Sequence, residues 1–160
     1  MNIQKIAKVI LIGLTLTTAA VLSYTIYLFL GVNWAIRAID VSICEVSVQQ
    51  LNTTDSTVHA NVTTVLTVRN PSRFCFAVSF VRETLFFDGK LIGGAEGRCR
   101  SFITPLPIEP FSDKNVTLLF SEVVLPAEPS ADSSWQASVF IKLVTPLPDV
   151  VRLHFEKQYP

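Results

Sequence analysis

Val58-His-Ala-Asn-Val-Thr-Thr-Val-Leu-Thr-Val-Arg-Asn-Pro71 is the stretch that decides the fold class. Its Val58, Ala60, Val62, Leu66 and Val68 share one parity, with polar or small residues between them. Successive side chains of a strand point to opposite faces, so this spacing predicts a strand with one buried face and one wet face. Asn70-Pro71 ends it, because proline has no N–H for the ladder and a fixed φ.

The same period of two recurs outward in both directions. Upstream, Ile39, Val41 and Ile43 share a parity that Val46 and Val48 abandon, and a bulge near Cys44 and Glu45 would account for the slip. Downstream, Phe74, Phe76, Val78 and Phe80 mark an aromatic-rich strand. Two short runs joined by Asp88-Gly89 then form a hairpin, since this dipeptide tolerates the positive φ of a tight turn. Gly93, Gly94 and Gly97 loosen the following edge, and Cys99 to Thr104 resumes an extended pattern. Pro105, Pro107 and Pro110 punctuate a connection before Val116, Leu118 and Phe120 begin another strand reaching about Leu125. Val151, Leu153 and Phe155 supply the last.

Residues 133–145 support two readings. Ser133 and Gln136 have capping-box spacing, and Trp135, Val139 and Leu143 fall at i, i+4 and i+8, which predicts a helix ended by Pro146 and Pro148. Ser138-Val-Phe-Ile-Lys-Leu-Val144 has strong β propensity and alternates about as well. The helix is preferred. Seven or eight short strands with turn signals between them then describe a mostly β antiparallel sandwich with one short helix.

Ahead of this domain, Val9 to Ile36 is an uncharged run of 28 residues. A helix needs roughly 20 apolar residues to cross the hydrocarbon, so a single transmembrane helix is expected, helical from about Ile6 to Gly31. Thr15, Thr17, Thr18 and Ser23 fit such a helix by bonding back to carbonyls one turn earlier. Tyr24, Tyr27 and Trp34 suit the headgroup zone at its C-terminal end. A cleaved signal peptide, with small residues at Thr18, Ala19 and Ala20, ranks second because apolar character continues through Leu30. Lys5 and Lys8 precede the run, whereas Arg37 after it is offset by Asp40, which predicts a cytoplasmic N-terminus and an extracytoplasmic domain. The expected organisation is residues 1–5 in the cytoplasm, 6–32 in the membrane, 33–38 juxtamembrane, 39–156 as the sandwich and 157–160 as a tail.

Acceptor triplets for glycosylation stand at Asn52, Asn61 and Asn115, compatible with that placement. Of 13 basic residues two precede the run, leaving 11 beyond it against 13 acidic ones. No polybasic face is indicated, and nucleic acid is not an expected partner. His59 and His154 have no partner at metal-ligand spacing, and neither a metal nor a cofactor is expected. Ile92-Gly-Gly-Ala-Glu-Gly97 opens no helix and so reads as a strained edge rather than a phosphate cradle. Arg69, Arg73, Arg82, Arg98 and Arg100 among Glu83 and Glu96 read as a solvated face with local ion pairs. Cys44, Cys75 and Cys99 are an odd set. Cys75 with Cys99 is the favoured pair, but three pairings are open, and so is a role for all three as small buried hydrophobes. The adjacent Phe86 and Phe87 must face opposite ways on a strand, which offers apolar surface to a groove between sheets or to the membrane.

The order of motifs resembles the group 2 late embryogenesis abundant family, also called the water stress and hypersensitive response domain. The motifs are a membrane helix, Val-Leu-Thr-Val-Arg-Asn70-Pro71, Leu85-Phe-Phe-Asp-Gly89-Lys-Leu-Ile-Gly93, and Pro107-Ile-Glu-Pro-Phe-Ser-Asp-Lys-Asn-Val-Thr-Leu-Leu-Phe120. The resemblance covers about residues 39–156 and implies an immunoglobulin/fibronectin III-like sandwich with no enzymatic activity. In that family Asn70 and Pro71 match the most recognisable dipeptide, read as turn-formers. Family members include soluble stress-linked proteins and single-pass membrane proteins, and lipid binding or transfer has been proposed for some anchored relatives. The expected function is a non-enzymatic binding or interaction module displayed outside the membrane, stress-protective or envelope-structural. Lipid binding or transfer at the bilayer surface is the first alternative, and a subunit of a surface filament or membrane assembly is the second. The expected partners are the lipid bilayer together with a lipid ligand or an envelope protein.

Overall fold

A computed structural model describes residues 3–54, 57–97, 105–130, 133–147 and 149–159. One helix, α1 (Ile3–Ala38), leads into eight strands: β1 (Asp40–Thr54), β2 (Thr57–Asn70), β3 (Phe76–Phe87), β4 (Lys90–Gly97), β5 (Leu106–Ile108), β6 (Ser112–Leu125), β7 (Trp135–Val144) and β8 (Val150–Gln158). They form two antiparallel sheets. Three strands pair in the order β1-β2-β6, and five in the order β4-β3-β7-β8, with β5 joining β3 beside β4.

The alternation in β2 becomes burial residue by residue: Val58, Ala60, Val62, Thr64, Leu66 and Val68 face inward. They meet Val78, Val81, Leu85 and Phe87 of β3 and Ala137, Val139, Ile141 and Leu143 of β7 in one core between the sheets. The slip expected near Cys44 is present, as a register shift between Ile43 and Glu45. A second shift, between Val78 and Phe80, was not expected, and it reverses the parity of β3. Phe80 turns outward, where its ring packs edge-on against Phe140 at 6.3 Å, and Val81, Glu83, Leu85 and Phe87 turn inward.

Residues 135–144 are a strand and not the helix preferred from the spacing. The sheet explains the correction. β7 lies between β3 and β8 and satisfies its backbone on both edges, and its β-branched residues pack on the pleat. The capping-box positions serve other ends: the Ser133 N–H donates to the Ser130 carbonyl at 3.1 Å and the Ser133 hydroxyl oxygen accepts from the Ser130 N–H at 3.0 Å, and Gln136 pairs in the ladder with Phe86 and Gln158. Among the described residues α1 is therefore the one helix.

That helix runs seven residues past Gly31, where the apolar reading placed its end. Its hydroxyls behave as expected, since Thr15, Thr17 and Thr18 each donate to a carbonyl one turn earlier at 2.8 Å. Every side chain from Gln4 through Tyr27 is exposed. The last turns are different. Val32, Ala35 and Ile39 are buried and belong to the core of the sandwich. Burial of this face sustains the helix up to Ala38, and β1 begins after the single residue Ile39.

Candidate functional site

The junction of helix and sandwich is built by the turn between β2 and β3. Asn70 is fully buried and its amide is completely used. Nδ2 donates to the carbonyls of Phe74 at 2.7 Å and Glu109 at 3.1 Å, and Oδ1 accepts from the N–H and the hydroxyl of Ser72. Pro71 sits exposed beside it. Thus Asn70 clips the turn to the segment after β5. Asn70→Ala strands those carbonyls, so a loss of about 2 kcal/mol in unfolding free energy is expected, read by denaturant titration.

The clipped turn presents Arg73 and Phe74 to α1. The Arg73 guanidinium donates to the Tyr27 hydroxyl and lies over the Tyr27 ring at 4.9 Å and the Phe74 ring at 5.2 Å. The Phe74 ring covers Gly31 so closely that a Cβ there would meet it at 2.9 Å. Glycine at position 31 lets that ring lie directly on the helix, and a larger residue there would have to displace it.

The other turn residues act at the Asp88-Gly89 hairpin. Asp88 and Gly89 have φ of 48° and 75°, the left-handed pair a two-residue turn needs. The Asp88 carboxylate also accepts from Ser134, tying the hairpin to the segment that enters β7.

Glu83 holds the most unusual chemistry, and the sequence reading missed it. Read as part of a solvated charged face, it is instead fully buried between the sheets, because the shift before Phe80 turns it inward. The Thr64 hydroxyl, on the facing β2, donates to Glu83 Oε2, and Glu83 Oε1 has no hydrogen-bond partner among the described residues. Burial pushes the carboxyl up to about 7, against the opposing pull of the Thr64 bond. The legible signal was Thr64 itself, a polar residue in phase with the apolar set of β2. The other described members of the charged group, Arg69, Arg73 and Arg82, are exposed, and Arg69 pairs loosely with Asp113 at 4.0 Å. Arg98 and Arg100 lie outside the described residues.

The remaining candidates spread over the surface. Asn52 on β1, Asn61 on β2 and Asn115 on β6 share the outer face of the three-stranded sheet. Asn61 accepts from the Glu122 N–H and Asn115 from the Thr67 hydroxyl. Phe86 and Phe87 do not line one groove. Phe87 is wholly buried against Trp135, with centroids 4.7 Å apart, and Phe86 borders an open depression of about 550 Å³ on the outer face of the five-stranded sheet. Cys44 and Cys75 are exposed, so neither is a small buried hydrophobe, and Cys99, the suggested partner of Cys75, lies outside the described residues, as does the extended run to Thr104. Partial desolvation, then the nearby Glu109, raises the Cys75 thiol above its ordinary range and disfavours thiolate chemistry. His154 bonds Ser138 Oγ at 2.7 Å. Among the described residues no group of His, Cys, Asp and Glu could hold a metal ion. Lys157 bonds Asp40 at 2.8 Å, joining the sheets at the β1 and β8 edges and holding the Asp40 carboxyl below its usual range.

Fold and surfaces together define a mostly β sandwich of two antiparallel sheets, carried on one N-terminal helix long and apolar enough to cross a membrane. No protein-family model and no curated protein matches this chain. Among solved structures, Northeast Structural Genomics Consortium target SoR45 is similar at a TM-score of 0.53 and 12% identity, covering 78% of this chain and 89% of its own. That likeness shows the fold alone. A candidate late embryogenesis abundant protein superposes at a TM-score of 0.42 and 12% identity, over 92% of this chain and 88% of its own. A protein from Arabidopsis thaliana does so at 0.48 and 12%, over 74% and 79%.

Proposed function

We propose that this chain is a single-pass membrane protein that displays a non-enzymatic interaction module of the group 2 late embryogenesis abundant kind outside the membrane. The observation that carries the reading is the division of α1. From Val9 to Tyr27 it exposes an uncharged, mostly apolar surface on every side, and its last turns are part of the core of the sandwich. Hydrocarbon is the solvent that such a surface suits, because a helix satisfies its own backbone there. Lys5 and Lys8 before the span, against Arg37 and Asp40 after it, support a cytoplasmic N-terminus. The module acts by binding through its outer sheet faces. Lipid carriage gains less support, because the depression that Phe86 borders is open to solvent and lined in large part by polar residues such as Gln136, Ser138, Glu156 and Lys157.

Alkaline carbonate extraction of cell membranes should leave the full chain in the pellet. Protease added to intact cells or right-side-out vesicles should remove the sandwich and spare a fragment of the helix. Release into the supernatant, or full protection from protease in sealed vesicles, would defeat the reading.

A further inference from the structure

We propose that one end of the sandwich, formed by the turn around Phe111 and the turn between β2 and β3, sits in the headgroup layer of the same bilayer, with the Phe111 ring as an apolar wedge. This rests on α1 spanning the membrane. The Phe111 ring is 73% exposed, although phenylalanine is ordinarily a core residue. Its φ is 54°, in the left-handed region, and a bulky side chain there is a true outlier. Pro110 precedes it, and the residue that follows proline in such a turn with positive φ is ordinarily glycine or asparagine. A strained backbone that holds a large apolar ring in the open points to a function for that ring.

The position of the turn indicates what the ring meets. The Phe111 N–H donates to the Ser72 carbonyl at 3.0 Å, which fixes its turn against the one that clasps the helix. Arg73, the next residue, reaches Tyr27, and the ring of Phe74 covers Gly31. A span that starts near Val9 and rises about 1.5 Å per residue has crossed roughly 30 Å of hydrocarbon by Tyr27 to Gly31. Both turns therefore lie at the depth where the helix leaves the hydrocarbon. Trp34, one helical turn further on, is 78% exposed and suits the same zone. The Arg73 guanidinium, exposed beside Tyr27, stands where lipid phosphates would be. Continuity with the span makes the bilayer the occupant, in preference to a second protein.

The test uses the full chain, with p-benzoylphenylalanine placed singly at Phe111, Phe29 or Leu91 and the purified protein reconstituted in nanodiscs of phosphatidylcholine and phosphatidylglycerol. Phe29 lies within the span. Leu91 is 65% exposed and lies on β4 opposite Phe86, near the far end of β3 and about 35 Å along that strand from the clasping turn. Irradiation and mass spectrometry should find lipid adducts at positions 29 and 111, and at least tenfold fewer at position 91. The benzophenone keeps the aromatic character of the side chain, and a matching circular dichroism spectrum confirms that each variant is folded. Adducts at 29 with none above the position 91 level at 111 would overturn the wedge and leave the span standing. Adducts at 111 to protein rather than lipid would overturn it equally, and no lipid at either 29 or 111 would remove both readings.

Discussion

Replacing Glu83 by glutamine should abolish a fall in stability that is expected of the native protein as pH rises from about 4.5 to about 7. The sign follows from the proton count. In the folded state burial raises the Glu83 carboxyl from 4.5 to about 7, whereas the unfolded chain loses that proton near the ordinary value. Between those limits the folded state binds more protons than the unfolded one, so stability decreases with rising pH and levels off above the folded value. A shift of this size corresponds to about 3 kcal/mol. The amide brings a second buried N–H, which offsets the glutamine variant by a constant and leaves the slope as the readout. Urea titrations of wild type and Glu83→Gln at pH 4.5, 6 and 8 should diverge by about 3 kcal/mol across the range. Parallel profiles would mean that the carboxyl is solvated.

A larger loss is expected from Phe87→Ala. The ring is fully buried and stacks at a tilt on Trp135, so its removal deletes apolar contact and leaves a cavity that the sheets cannot close, at a cost of about 4 kcal/mol. The adjacent Phe86 is half-buried on the outer face, and Phe86→Ala should cost only about 1 kcal/mol. The near-ultraviolet dichroism of Trp135 should weaken in the first variant and persist in the second. Equal losses would place the β3 register one residue away from where it is described.

Most of the architecture was legible because a half-buried strand repeats every second residue. β2 needed nothing else, and Asn70-Pro71 and Asp88-Gly89 announced their turns by backbone chemistry alone. Two failures have a common cause. The parity of β3 depends on a bulge near Ser79, and a bulge adds a residue without any composition that marks it. Glu83, placed in solvent because of its charged neighbours, is turned inward by that bulge. The element at 135–144 had acceptable patterns at both periods, and only its place between β3 and β8 decided for the strand. The candidate site was less legible still. The clasp among Tyr27, Gly31, Arg73 and Phe74 joins residues about 45 positions apart, and no local spacing encodes it.

The single residue between α1 and β1 has a mechanical consequence. Helices that span a bilayer answer a change in its thickness by tilting. With the final turns of α1 embedded in the sandwich, there is no hinge to absorb that tilt. Thinning or thickening the lipid around this protein would swing the whole sandwich as a rigid arm, re-aiming its outer faces at whatever lies across the gap.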